Sequence, residues 1–382
     1  MKISVNYEEL STVLNFTNTV LSDKSVDDSM KNIIFMVKAD GEVKVAGYNA
    51  FTTARTLLNN VKAEDIPENG WEFQVKADGL NKIISSFSNL YKTKVDGLDF
   101  SVEGVRIKVT VHEKPLNEEE VRFAQDSEFM LESAPILANI LKEIHREFPT
   151  ECDGVTSDEL LIYTDCLLPL LSNDAASKIG SNLYFAGDYV FVINSVVSGF
   201  VQNKLPDSFK DLSLGYSSVV FLKKMCELAP TIDVSKSEKL LCIRAEGTEA
   251  FMRCKKPTIQ YKTYIDRLKK DVGIVVDRFY LKDVLRRMGN ISTDGTMRVS
   301  GEDLIVENNN FQQVIPLIKA KEGAEGVAFK VSISAITSAI LGKDDVFKND
   351  VFIYLIPKAH GYMLYMMDNS GAWLTVSQVT KN

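Results

Sequence analysis

The sequence predicts an α+β protein of three tandem domains, each built from two strand–helix–hairpin units. Three observations predict it. Along 382 residues, a helix with apolar positions at offsets zero, three, four and seven recurs six times. Each such helix follows one short strand and precedes alternating strands. A charged, apolar-poor stretch at 114–127 and a second linker-like stretch at 257–271 divide the series into thirds. The offsets alone would fit any amphipathic helix. The constant order of elements favours a repeat.

The first unit covers Met1 to Leu58. Ile3 and Val5 alternate with polar residues as a strand. Leu10, Val13, Leu14 and Thr17 share one helix face, and IIFMVKADGEVKVAGYN turns at Ala39-Asp40-Gly41 between two strands before TTARTLL gives a third. The second unit has the strand WEFQVK, a helix with Leu80, Ile83, Ile84 and Phe87, and the hairpin LDFSVEGVRIKVTVHE. The third is expected to open with the strand EFMLE and the helix SAPILANILKEIH, in which Leu137, Ile140, Leu141 and Ile144 repeat the offsets. After it DELLIYTD and CLLPLLS read as strands, followed by NLYFAGDYVFVINSVV.

The fourth unit is expected to start with YSSVVF as a strand, with Leu222, Met225, Cys226 and Ala229 on the helix and the hairpin turning at Glu246-Gly247. The fifth has GIVV, a helix with Leu281, Val284, Leu285 and Met288 that stops at Gly289, and a hairpin turning at Gly301. The sixth has AFKVSI, Ile333, Ile336, Thr337 and Ile340, and the hairpin DVFIYLIPKAHGYMLYMMD. Domain limits follow at 1–124, 125–268 and 269–382.

Composition is that of a globular protein, 45% hydrophobic and 25% charged with a net charge of −8. No apolar run approaches the roughly 20 residues of a membrane span. MKISVNYEEL has no signal-peptide core, so an intracellular protein is expected. The five cysteines (Cys152, Cys166, Cys226, Cys242 and Cys254) form no CxxC and read as reduced thiols. His112, His145 and His360 are isolated, so no metal or other cofactor is expected. Asp344, Asp345 and Asp350 read as a solvated loop. Walker A, HExxH, GxSxG and GxGxxG patterns are absent, and the protein is read as not an enzyme.

Each helix has one apolar stripe and must cover a sheet. Two units then give a domain with two helices on one side. Three domains give helices along one side and sheets along the other. Free edge strands at the two ends favour head-to-tail closure with a second chain.

With this architecture in view, MKISVNYEELSTVLNFTNTVL, IIFMVKADGEVKVAGYN with TTARTLL, WEFQVKADGLNKIISS and NLYFAGDYVFVIN resemble the bacterial-type DNA sliding clamps, the β processivity subunits of replicative polymerases. The likeness covers the whole chain in architecture. It departs at 150–180 and at the C-terminal LTVSQVTKN, which suggests a divergent, even viral, member. The resemblance implies a cytoplasmic homodimeric ring around double-stranded DNA, helices inside, loaded by a clamp loader and tethering a replicative polymerase.

A sliding ring wants a basic lining that contacts phosphates without reading bases. The candidates on the expected helices are Lys82, Lys142, Arg146, Lys223, Lys224, Arg278, Lys282, Arg286, Arg287 and Lys343. These ten basic residues face eight acidic ones, so the helices are less acidic than the rest. The bland alternative is a set of solvated helix faces. The face of the first expected helix opposite its apolar stripe, with Glu8, Glu9, Ser11, Asn15 and Asn18, carries no Lys or Arg.

By resemblance, an apolar groove for partner peptides would use Gly187, Tyr189, Val190, Phe191 and Val192, the linker residues Tyr264, Ile265 and Leu268, and Trp373, Leu374 and Val376. Ordinary core packing is the competing reading of each. The ring joint is expected between an edge strand at Arg106–Val111, with Ile107, Val109 and Val111, and another at Phe311–Ile318, with Phe311 and Val314. Leu285 and Met288 would add apolar contact. A structural or peptide-binding scaffold of repeated α+β units is the other function class.

Overall fold

The computed structural model describes residues 1–21, 28–172, 180–194, 196–237, 239–266, 273–340, 349–368 and 370–381, with the side chains of 264, 339 and 381 outside the description. Leu268, Lys343, Asp344 and Asp345 lie outside the described residues.

Six repeats are present. The first is β1 (Lys2–Asn6), α1 (Tyr7–Thr17), β2 (Asn32–Val37), β3 (Val43–Tyr48) and β4 (Thr52–Leu58). After β5 (Val61–Glu64) comes the second: β6 (Trp71–Lys76), α2 (Ala77–Ser86), β7 (Thr93–Glu103) and β8 (Arg106–Pro115). Two elements outside the repeat follow, β9 (Ser127–Glu132) and α3 (Ala138–Ile144). The third repeat is β10 (Asp153–Thr156), α4 (Ser157–Leu167), β11 (Asn182–Ala186), β12 (Tyr189–Ile193) and β13 (Val197–Gln202). The fourth is β14 (Leu212–Gly215), α5 (Tyr216–Cys226), β15 (Thr231–Lys236), β16 (Leu240–Ala245) and β17 (Thr248–Arg253).

A short linker helix α6 (Lys262–Ile265) leads to the fifth: β18 (Gly273–Asp277), α7 (Arg278–Gly289), β19 (Asp294–Ser300), β20 (Asp303–Asn308) and β21 (Phe311–Ala320). The sixth is β22 (Ala328–Ser332), α8 (Ile333–Ala339), β23 (Asp350–Lys358), β24 (Gly361–Asp368) and β25 (Trp373–Lys381).

Local chemistry sets the helix starts. The Asn6 side chain accepts from the Glu9 N–H at 3.0 Å, and Asp277 accepts from the Tyr280 N–H at 2.7 Å. Each satisfies one orphan donor of a first turn. The stripe Leu10, Val13, Leu14 and Thr17 is buried, as is Leu281, Val284, Leu285 and Met288 on α7.

Three sheets carry the strands, in the orders β5-β1-β7-β8-β9, β10-β15-β16-β17-β4-β3-β2-β6, and β14-β11-β12-β13-β25-β22-β19-β20-β21-β18-β23-β24. Within each pair of repeats, the first strand of one joins the strand that directly follows the helix of the other, as β1 joins β7 and β6 joins β2. Contacts divide the chain into two compact units, Met1–Gly154 with Val220–Arg253, and Val155–Val219 with Cys254–Asn382. In the first, Phe35, Phe73, Phe100 and Trp71 form an aromatic stack in the core, with Phe35 and Phe73 centroids 4.7 Å apart.

Three expectations need correction. EFMLE and SAPILANILKEIH are not the third repeat. β9 pairs with β8, and α3 lays Ile140 and Ile144 on Ile34, Met36, Ala46 and Tyr48 of β2 and β3. The third repeat's helix is α4, where DELLIYTD and CL had read as strand. YSSVVF is the start of α5, not a strand. Its β-branched residues favour a strand locally, but Val219, Phe221 and Leu222 are fully buried as one turn of an amphipathic helix.

Candidate functional site

The second compact unit holds an apolar cluster around the β11–β12 turn. Tyr184, Ala186, Phe191, Ile193 and Phe200 meet Tyr354, Tyr365, Leu374 and Val376, and partly exposed Tyr189, Ile259, Tyr261, Ile265, Phe352, Ile356, Met363 and Met367 pack around them. The turn itself is Gly187 at φ +55°, in the left-handed region that favours glycine. A Cβ there would run into the Tyr261 hydroxyl. The Tyr261 ring leans on Phe191, centroids 5.0 Å apart, and meets Tyr189 at 6.5 Å. Burial, then the nearby Asp188 carboxylate, raises both phenols above the ordinary tyrosine value. They stay neutral, so the surface offers aromatic faces with hydroxyl tips.

Of the sequence-selected groove residues, Tyr189, Phe191, Ile265, Leu374 and Val376 belong to this cluster. Strand alternation takes Val190 and Val192 away from it, and both are fully buried. Trp373 is also fully buried, opposite Val201. Tyr264 sits on α6 with its side chain outside the description, and Leu268 lies outside the described residues. Sequence reading missed Ile259 and Tyr261. Their signal was the apolar spacing Ile259, Tyr261, Ile265 in the linker from which only Tyr264, Ile265 and Leu268 were assigned to the groove.

The repeat helices carry the second candidate surface. Lys82 pairs with Asp78 at 2.7 Å, Lys224 with Glu227 at 2.9 Å, and Arg286 with Asp283 at 3.1 Å. Arg287 donates to the Asp283 carbonyl. Lys223 and Lys282 lie on α5 and α7. Between α1 and α2 the facing groups are neutral, with Asn18 and Asn81 exchanging hydrogen bonds at 3.0 and 3.2 Å. Glu9 is not turned to a ligand. Its carboxylate accepts from Asn59 and Asn60, and these bonds, outweighing burial, hold its pKa below normal.

Comparison with solved structures decides the fold. The chain superposes along 100% of its length on the DNA polymerase III β subunit of Pseudomonas aeruginosa, covering 100% of that chain at TM-score 0.76 and 13% identity. The β sliding clamp of C. crescentus gives 0.77 at 12% identity, and the polymerase sliding clamp of Bacillus subtilis 0.75 at 11%, each covering 100% of this chain and 99% of the other. The fold is that of a bacterial DNA sliding clamp. No family model matches the sequence, and no curated protein does.

Set in the clamp fold, several sequence-selected residues move. Lys142 and Arg146 come from α3 and the turn after it, outside the repeat helices, and Arg146 pairs with Glu143. Arg278 is 1% exposed and cannot face a ligand. The α4 helix contributes Asp158, Glu159 and Asp165 and no base. On the six repeat helices, seven basic residues now face seven acidic ones, in place of the expected excess of base.

The expected joint strands also change. Arg106–Val111 is not an edge, because β9 pairs along it, and Ile107, Val109 and Val111 are core residues at 2% exposure or less. Leu285 and Met288 are fully buried on the core stripe of α7 and are not free for a joint. Phe311–Ile318 lies in β21, which pairs with β20 along Phe311–Pro316 and with β18 only from Leu317 onward. Val314 is exposed and Phe311 half-buried.

Proposed function

We propose that this chain is a DNA polymerase processivity factor. Two copies join head to tail as a ring around duplex DNA, slide along it, and hold the replicative polymerase and other partners. The observation that carries this reading is the clamp fold over the full chain together with its six repeats. The domains are taken as 1–124, 125–268 and 269–382, with 127–144 folded back on the first. Lys82, Lys223, Lys224, Lys282, Arg286 and Arg287 would face phosphates, and Lys343 is carried with them from the sequence. The balance of charge on the helices suits a lining that holds DNA weakly and reads no bases. The apolar cluster at Tyr189, Phe191, Tyr261 and Ile265 would take an extended peptide with hydrophobic anchors. Loading by an ATP-driven clamp loader in a bacterial or phage-infected cytoplasm completes the reading, with no catalysis by the chain itself.

The test has two parts. Sedimentation should give a dimer of two 42.7 kDa chains, about 85 kDa. Protein loaded on nicked circular DNA should run off once the circle is cut. Retention on the linear DNA would point to gripping by charge, and a monomer would remove the ring. The same seven-to-seven charge balance favours a second reading, a peptide-binding scaffold of α+β repeats. That protein would not be topologically held by circles at all.

A further inference from the structure

The repeats follow one rule where they join sideways. The last strand of the first repeat, β4, pairs antiparallel with the last strand of the fourth, β17, over five residue pairs, Thr52–Thr56 against Thr248–Met252. The last strand of the third, β13, pairs antiparallel with the last of the sixth, β25, again over five pairs, Val197–Val201 against Trp373–Ser377. Two last strands remain, β8 of the second repeat and β21 of the fifth. By the same rule they belong together, across two copies. Yet β8 is taken. β9 occupies its free side from Arg106↔Glu132 to Val111↔Ser127.

β9 is firmly seated there. Phe129 packs edge-on to Phe87, centroids 6.0 Å apart, and Leu131 joins the core of the first compact unit and reaches Gly79 of α2. Gln74 donates to the carbonyls of Ala134 and Pro135 at 3.1 and 3.0 Å, and Arg55 donates to the Ile144 carbonyl at 2.6 Å. Peeling this strap away would expose Phe129, Leu131, Ile140 and Ile144 together, so displacement is strongly opposed.

The outer side of β9 is instead a sheet edge with no ladder partner among the described residues, guarded only by its two glutamates. SEFMLE has no proline and no lysine. Its outward residue Met130 is 44% exposed. β21 offers the matching half. Phe311–Pro316 has no partner opposite β20 among the described pairings, and Val314 is 42% exposed. Six residues on each side suffice for the five-pair seams seen elsewhere. No like charges oppose the joint, since β9 carries Glu128 and Glu132 while Phe311–Pro316 carries no acid.

We propose that copies of this chain join through β9, the strand outside the repeat, whose outer edge pairs antiparallel with Phe311–Pro316 of a second copy. β8 is then an interior strand of the joined sheet. The proposal rests on the ring reading above and names the strand that makes the joint.

Disulfide trapping tests it. Met130→Cys is combined in the full chain with Gln312→Cys or Val314→Cys, both on the outward face of β21. Oxidation should give a covalent dimer with one of these pairs, while Thr110→Cys on β8 with the same partners should give none. A strand once removed sits beyond the roughly 7 Å Cα limit of a disulfide. Separately, Met130→Lys should leave the circular dichroism of the chain unchanged and weaken the dimer about tenfold. Trapping through Thr110→Cys, or a dimer indifferent to Met130→Lys, overturns the β9 joint while leaving a ring in place. A monomer at every concentration overturns both the joint and the ring.

Discussion

Arg55 reaches across the β4–β17 seam to Glu249, Nε to Oε2 at 2.6 Å, and with its other arm donates to the Ile144 carbonyl at the end of α3. Arg55 is 8% exposed, and its guanidinium also lies over the Phe251 ring at 5.3 Å. One side chain thus ties a seam between repeats to the strap that covers the sheet. Removing it leaves half-buried Glu249 with only the longer pairing to Lys44, at 3.6 Å, and leaves the Ile144 carbonyl without its donor. We expect Arg55→Ala to destabilise the first compact unit by about 3 kcal/mol. Arg55→Lys should recover little, because Lys lacks the fork that serves two acceptors. Denaturant unfolding with a double-mutant cycle against Glu249→Gln measures this, and additive losses would show that the two groups do not interact.

His112 clasps the entry to β9. Its Nε2 lies 2.8 Å from Asp99 and its Nδ1 2.9 Å from Asp126, the residue before the strand. Burial disfavours the imidazolium, but the bonds and charges of the two carboxylates outweigh it and raise the pKa. A raised folded pKa means that the clasp is fully formed below the unfolded value of about 6.5 and fades as pH rises through the folded one. Amide-exchange protection of 124–132 should therefore be higher at about pH 6 than at about pH 9. In His112→Gln the difference should vanish. Equal protection at both pH values in the parent would refute the clasp.

Gly187 and Tyr261 set the shape of the apolar cluster. Gly187→Ala adds a Cβ against the Tyr261 hydroxyl at a left-handed backbone position. We expect a cost of about 1–2 kcal/mol in stability and a displaced Tyr261 ring. Tyr261→Ala removes an aromatic face that is only partly buried. It should weaken capture of a hydrophobic peptide about tenfold or more with little effect on the melting temperature. Fluorescence anisotropy with a labelled peptide reads the first effect. Unchanged affinity would mean that the cluster is core alone.

On DNA, α7 and α3 should behave differently. Replacing Lys282 and Arg286 by glutamine should lower the slope of log affinity against log salt by about 2. The same change at Lys142 and Arg146, outside the repeat helices, should leave the slope alone. Retention on closed circles across a salt series distinguishes the two pairs. An equal effect from both would place α3 at the DNA as well.

Much of the fold was legible because burial period and element order agreed. The stripes on α1 and α7 are buried as read, and that of α2 is buried at Leu80, Ile83 and Ile84 while Phe87 ends the helix half-buried. The third repeat was not legible, for a physical reason. EFMLE followed by SAPILANILKEIH has the same strand-then-helix pattern as a repeat, and local pattern cannot say which sheet a strand will join. The Leu-rich run of α4 hid its helical period behind consecutive apolar residues. Arg278 shows the reverse. Its place three residues before Leu281 puts it on the buried stripe, and that signal outweighed its charge. Within the apolar cluster, Tyr189 and Phe191 follow from the resemblance to the clamps, whereas Tyr261 comes from a distant stretch that only the folded chain brings against them.

The strap over β8 also bears on identity between chains. A clamp whose joint uses a bare last strand presents a different edge from one that ends in β9, with another register and another row of side chains. Two such clamps in one cell would sort into separate rings without any further label, as orthogonal pairs. Native mass spectrometry after co-expression with a clamp that lacks the strap should find homodimers only. Abundant mixed dimers would show that the strap confers no such privacy.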